Sequence, residues 1–289
     1  MARASSRFDL SIFERALGGA PPFPAGGSAR AARLGATLVA FDRVGSTQDV
    51  ARALLLRGAP DGTVVLAEEQ WSGRGRRGRS WASPAGGGIW ATVILRRALP
   101  QDLPQWLTLA GALALCESAR HFGAARAEIK WPNDLIAGEK KLAGVLGELV
   151  GEGATPSVAL LGIGLNVDLD PRALSGIPGI PGDGITSLRA EGLPPGAGRE
   201  IVLASILGRL EEAVGWIALG STGPLLERWR SLSPSSMDRR VSIEESGTGA
   251  TLRGTTRGIA ADGSLIVESE AGETRSIRFG GTVRLEPIA

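Results

Sequence analysis

GRGRRGR, residues 73–79, sets four arginines and three glycines in seven positions, between two apolar runs, TVVLAEEQ (63–70) and GGGIWATVILR (86–96). Short apolar runs rich in β-branched residues and bounded by glycine read as buried strands. Arg/Gly tracts also occur in nucleic-acid-binding tails, but those tails sit in low-complexity sequence. Between two strand candidates, this one reads as a loop over a site. Glycine lets backbone N–H groups approach an anion closely, and each guanidinium offers a fork of donors to carboxylate or phosphate oxygens. The expectation is a loop too flexible to be fixed alone, which orders over an anionic ligand.

Working outward, LVAFDRV (38–44) reads as a strand, and STQDVARALLLRG (46–58) as a helix capped by Ser46 or Thr47 and ended at Gly58. Pro104 to Phe122 has the length of a long helix. EIKWPND (128–134) ends in a turn, because Pro132 interrupts regular structure and Asn133–Asp134 favours local hydrogen bonding. KKLAGVLGELV (140–150) and SVALLGIGLNVDL (157–169), joined by the turn GEGATP (151–156), read as neighbouring buried strands. Residues 171–198 are Gly/Pro-rich loop with a short element near Thr186 to Ala190, and 199–216 and 223–229 return to helical spacing. Beyond Met237 the pattern becomes short alternating strands with tight turns such as ADGS (261–264), the signature of a small barrel. A boundary near residue 236 follows. Residues 1–36, with one helical candidate at Leu10 to Leu17 and the breaker run GGAPPFPAGG (18–27), read as a loose extension. The division is then 1–36, 37–236 and 237–289.

Composition narrows the chemistry. With 43% hydrophobic and 21% charged residues in 289, the chain is ordinary globular sequence, and a net charge of +2 makes the basic signal local. A single cysteine, Cys116, excludes an internal disulfide, and no Cys/His cluster offers a zinc site. A reducing, cytoplasmic setting is expected. No signal-length apolar run and no membrane-spanning stretch is present. Of 32 basic residues only Lys130, Lys140 and Lys141 are lysine. A lysine kept against such a bias is either chance on a solvated face or needed for its compact ammonium. His121 is the one histidine, at the end of a helix, so a histidine-based nucleophilic mechanism would have to pass through it.

Three constellations carry chemistry: the arginine loop; KWPNDL (130–135) followed by KLAGV (141–145); and GIGLNV (162–167), where Asn166 ends an apolar strand. With STQ (46–48), EQ (69–70) and WASPAGGGIW (81–90), in this order and spacing, they resemble the biotin protein ligases, from about Phe41 to the C-terminus. The resemblance implies an α+β fold: a mixed sheet with flanking helices, of the kind shared with class II aminoacyl-tRNA synthetases, followed by an SH3-like β-barrel. It implies that biotin and Mg-ATP give biotinyl-5′-adenylate and pyrophosphate, after which a lysine of the biotin carboxyl carrier protein takes the acyl group.

By the same resemblance Arg74, Gly75 and Arg76 contact biotin or its adenylate, Arg76 also retaining the intermediate. Ser46, Thr47, Gln48 and Gln70 hold or line the ureido pocket, with Gly144 beside it. Arg79, Trp81, Asn133 and Asn166 lie on the nucleotide side. Lys141 bridges the biotin carboxyl and the α-phosphate, and Asp134 is placed to activate the acceptor lysine. Gln48 stands where the family commonly has Asn, and Arg284 lies near the family's terminal ATP-reaching arginine without an assigned role. The DNA-binding module of bifunctional members has no counterpart, so neither a repressor role nor specific DNA binding is expected; a homodimer through a sheet edge stands open. The alternatives are a lipoate protein ligase of the same fold and, from another class, a nucleic-acid-binding protein using the basic loop.

Overall fold

Strand β3 (Gly88–Leu95) is buried at every residue, which requires neighbours on both sides and cover on both faces. The computed structural model describes residues 7–19, 33–96, 103–151, 158–170, 184–244, 250–278 and 282–286, and supplies both. Seven strands form one sheet: β1 (Leu38–Val44), β2 (Val64–Gln70), β3, β4 (Ala127–Lys130), β5 (Asp134–Ala137), β6 (Lys140–Val150) and β7 (Val158–Asn166), in the order β1-β2-β3-β7-β6-β5-β4. The β1–β2 pair is parallel and the other neighbours are antiparallel, so the sheet is mixed as expected.

Helices α3 (Leu103–His121) and α4 (Arg199–Ala218) contribute to the main core, and α3 packs on β6 and β7. Gly111 lets α3 come close, since a Cβ there would lie 2.9 Å from Val145 Cγ1. Helix α2 (Thr47–Leu56) makes a second cluster, burying Ala51 and Leu55 with Val65, Ile94 and Leu160. Helix α5 (Gly223–Ser231) adds Trp229, fully buried. Among the described residues no helix is long and apolar enough to cross a membrane.

The expected looseness of residues 1–36 does not hold for helix α1 (Leu10–Gly19). Phe13 and Leu17 are 1% and 8% exposed in the main core, and Leu34 is fully buried. The chain entering α1 is held by carboxylates: Phe8 N–H donates to Glu68 (2.7 Å) and Asp9 N–H to Glu200 (2.9 Å). Glu68 also pairs at 2.7 Å with buried Arg199, so donors surround its charge and offset desolvation. The breaker run at 20–27, most of GEGATP and residues 171–183 lie outside the described residues.

A second, antiparallel sheet starts at Met237: β8 (Met237–Glu244), β9 (Thr251–Ile259), β10 (Leu265–Ser269), β11 (Thr274–Ile277) and β12 (Thr282–Leu285), ordered β11-β10-β9-β8-β12. Among the described residues no pairing joins β11 to β12. The β9–β10 turn closes with Ala260 N–H on Ser264 O at 2.9 Å and Ser264 Oγ on Asp262 at 2.6 Å. Its tip reaches the first sheet: Trp131 Nε1–H donates to Gly263 O (3.1 Å) and Gln105 to Asp262 O (2.7 Å). The turn that carries Pro132 to Asp134 is thereby held from behind.

Phe13→Ala should cost about 3 kcal/mol, the usual loss for a buried phenylalanine. Chemical denaturation should show a lower midpoint; an unchanged midpoint would mean that α1 is not part of the folded core.

Candidate active site

The site begins where α2 does. Ser46 is extended and its hydroxyl accepts the Gln48 N–H at 3.2 Å, so Ser46, not Thr47, is the N-cap. Capping leaves Thr47 and Gln48 in the first turn, facing the sheet and buried. Opposite them, at the end of β2, Gln70 accepts from Thr47 N–H (2.8 Å) and Thr47 Oγ1 (3.1 Å) and donates through Nε2 to Ser83 Oγ (2.8 Å).

The arginine segment follows directly. It folds back on itself: Arg74 and Ser80 form a β-bridge, and Gly75 N–H donates to Arg79 O at 2.7 Å. A 3₁₀ turn at Arg76–Gly78 puts Arg77 in the left-handed region (φ 58), unusual for a non-glycine residue. The arginines separate by partner. Arg74 pairs with Asp49 on α2, with Glu148 at 3.9 Å. Arg76 crosses the cleft to donate to Asn133 Oδ1 (2.8 Å), whose amide donates to Val145 O (3.0 Å).

The two glycines of GIGLNV shape the floor. Alternate residues of β7 face one way, and a Cβ on Gly162 would lie 2.4 Å from Gln48 Oε1, one on Gly164 2.5 Å from Trp81 Cε2. Only bare backbone lets Gln48 and the Trp81 indole lie against the sheet. Lys141 Nζ sits 5.1 Å from the Trp81 ring centroid and 2.8 Å from Asp134 Oδ1, held by ring and carboxylate together. It is partly exposed, and Asp134 is the partner that an ammonium at the start of an apolar strand needs to stay charged.

Ser46, Thr47, Gln48, Gln70, Arg74, Gly75, Arg76, Arg79, Trp81, Asn133, Asp134, Lys141 and Gly144 all line one cavity of about 290 Å³. Asn166 does not. It is 3% exposed, and its amide donates to Thr186 O (2.9 Å) and Lys141 O (3.4 Å), supporting the backbone beneath Lys141.

Lys130, Arg77 and Arg284 join the lining, bringing its cations to seven against one carboxylate, Asp134, among the described residues. Burial lowers the Lys130 pKa, with Asp134 opposing and Lys141, Arg284 and Arg79 adding to the shift. Burial likewise lowers that of Arg76, against Asp134 and with Arg77 and Arg79. The lysine bias pointed to Lys130 and to nothing sharper; Arg284 arrives from the second sheet, which spacing does not encode. Among the described residues no group of three His, Cys, Asp or Glu could hold a metal ion. Buried Cys116, its thiol pushed up to about 12 by burial, and His121 are not among the lining residues.

A cleft this rich in cations, under an arginine loop and beside a polar pocket, suits an anionic ligand, and comparison with known proteins assigns the class. Residues 40–166 match the Biotin/lipoate A/B protein ligase family and residues 237–280 the Biotin protein ligase C terminal domain. A Mycobacterium tuberculosis biotin–[acetyl-CoA-carboxylase] ligase is 34% identical over 85% of this chain and 89% of its own. The Bacillus subtilis bifunctional ligase/repressor BirA is 37% identical over 48% of this chain, which spans 43% of that relative's length. The solved biotin protein ligase from Aquifex aeolicus, in complex with biotin and ATP, superposes with a TM-score of 0.71 at 26% identity, covering 87% of this chain and all of that one. The chain belongs to the biotin protein ligases.

Gly164→Ala should displace the Trp81 indole and the cation it supports. Nucleotide affinity should fall about tenfold or more, read by calorimetry; unchanged affinity would remove Trp81 from the site. Lys130→Met should raise the melting temperature of the ligand-free protein by about 2–4 °C, since it relieves a desolvated charge among like charges. A lower melting temperature would mean that Lys130 stabilises the fold.

Proposed function

We propose that this chain activates biotin with Mg-ATP to biotinyl-5′-adenylate and passes the biotinyl group to a lysine of a biotin carboxyl carrier protein. The observation that carries the reading is the charge imbalance of the cavity, seven cations to one carboxylate, beside the uncharged pocket of Ser46, Thr47 and Gln70. Joining a carboxylate to an α-phosphate brings two anions together, so oriented positive charge is the main catalytic requirement.

Each role follows from what a side chain can reach. Ser46, Thr47, Gln48 and Gln70 offer hydrogen bonds to the ureido ring, and Gly144 leaves room beside it. Arg74, tied to Asp49, and Gly75 border the pocket from the loop. Lys141, with its compact ammonium, lies between the biotin carboxyl and the α-phosphate. Arg76, Arg79, Trp81 and Asn133 serve the nucleotide, with Lys130 and Arg284 toward the leaving pyrophosphate and Asn166 supporting Lys141. The carboxylate oxygen attacks the α-phosphorus as the bond to the β-phosphate oxygen breaks. In the second step the acceptor lysine's ammonium gives one proton to Asp134, and the resulting amine attacks the acyl carbon as AMP departs. Closure of residues 73–79 over the adenylate would keep water from it. Among the described residues Asp134 is the lining's one carboxylate and pairs with Lys141, and in this reading Mg²⁺ enters with the ATP substrate.

We read residues 37–236 as the catalytic unit and 237–289 as an SH3-like unit that supplies Arg284 and buttresses Trp131, within an intracellular protein. The five antiparallel strands and the ADGS turn support that reading.

ATP–pyrophosphate exchange that requires biotin, and does not occur with lipoate, is the expected result; lipoate-dependent exchange would favour the lipoate ligase. Salt-sensitive oligonucleotide binding without any biotin effect would favour a nucleic-acid binder. Lys141→Arg should lose about 100-fold in exchange despite its charge, because a planar fork does not fit between two oxyanions. Near-normal exchange would dismiss that role. Arg76→Gly should release the adenylate and label nearby lysines indiscriminately; tight retention would show that the loop does not seal the intermediate.

A further inference from the structure

One buried polar group of the central sheet has no part in the roles above. Thr92 lies in the middle of β3, fully buried, in a strand whose other large side chains are apolar. It is paired across the sheet with Gly162, the residue over which Gln48 lies. Its hydroxyl is 2.9 Å from Thr47 Oγ1.

The direction of that bond follows from counting hydrogens. The Gln70 Oε1 atom accepts twice from Thr47, from the backbone N–H at 2.8 Å and from the hydroxyl at 3.1 Å. An amide oxygen has no proton to give, so the single hydroxyl hydrogen of Thr47 is committed to Gln70. Thr47 and Thr92 can then be bonded only with Thr92 as donor. Downstream the order continues one way: Gln70 Nε2–H donates to Ser83 Oγ at 2.8 Å, and Ser83 Oγ–H to Trp81 O at 3.3 Å. The amide of Gln70 has one orientation in this network. Reversing it would point the NH₂ group at the Thr47 backbone N–H, a donor that cannot accept.

A consequence for recognition follows. With its hydrogen given to Gln70, Thr47 Oγ1 meets a ligand in the cavity as an acceptor. We propose that Thr92 is a positioning residue that orients the Thr47 hydroxyl and the Gln70 amide, making this end of the pocket selective for a ligand that presents a ring N–H. The inference rests on the biotin reading, in which the ureido ring supplies that N–H. Thr92 itself touches no substrate; it acts through Thr47.

The test is Thr92→Val, which keeps the β-branched shape and removes only the hydroxyl, with Thr92→Ser as the conservative partner. In biotin-dependent ATP–pyrophosphate exchange, the valine variant should show a KM for biotin raised about five- to tenfold, the scale of one neutral hydrogen bond. Its KM for ATP and its kcat should stay within about twofold. The serine variant should restore the biotin KM. Preference for biotin over an analogue methylated on its ureido nitrogens should shrink in the valine variant, although the steric cost of the methyl groups is the same in both proteins. A folded valine variant with unchanged biotin KM and unchanged preference would overturn the proposal, as would a serine variant no better than valine. Should the valine variant not fold, the serine variant decides: a biotin KM more than about fivefold above the parent's counts against the role. Absence of biotin-dependent exchange in the unaltered chain would instead defeat the functional reading, and this inference with it.

Discussion

Positive charge gathered in one cavity around a single lining carboxylate, among the described residues, is the constraint around which the site is arranged. Lys130, Lys141, Arg76, Arg79 and Arg284 line one cavity with Asp134, and burial depresses the pKa values of Lys130 and Arg76. Like charges at such separations repel by amounts that matter in a partly dry site. The protein therefore has to spend folding energy elsewhere to keep them together, and an anionic ligand relieves what the carboxylate of Asp134 alone does not. Away from the cavity the chain pairs its arginines: Arg199 with Glu68, Arg228 with Glu117 and Glu212. The gathering of seven cations around one lining carboxylate, among the described residues, marks the site more clearly than any single side chain.

Backbone devices hold these charges in place. Gly164 of β7 lets Trp81 lie across the sheet, and the indole then supports Lys141 from its face. Asn166 fixes the Lys141 backbone, while Asn133 links the arginine loop to β6 through Arg76 and Val145. From the second sheet, the β9–β10 turn fixes Trp131 next to Pro132 and Asn133. The geometry of this side of the cavity thus depends on residues more than a hundred positions downstream, and the C-terminal sheet belongs to the cavity in a physical sense.

Much of this is legible in the sequence where local chemistry is strong. Strands β2, β3, β6 and β7, helices α2 and α3, and the turn after Pro132 follow from apolar period, caps and breakers. Thirteen of the named site residues share one cavity because the motifs sit at strand ends and first helical turns, where side chains point into clefts. The remainder is set by distant contacts, which local pattern does not carry. Helix α1 reads as detached because a Gly/Pro run follows it, yet Phe13 and Leu17 enter the core through α4. Asn166 reads as a ligand group, but carbonyls of Lys141 and Thr186 claim its amide. Thr92, in an apolar strand, reads as core, and Arg284 as barrel.

If these cations let two acids join and then keep the product in the cavity, the product should travel with the protein. The most direct measurement is to mix the purified chain with biotin and Mg-ATP without any acceptor protein, pass it rapidly through a desalting column and identify the bound nucleotide. Close to one biotinyl-5′-adenylate per chain, with matching pyrophosphate, is the predicted result. Unreacted ATP, or AMP formed without an acyl nucleotide, would contradict it.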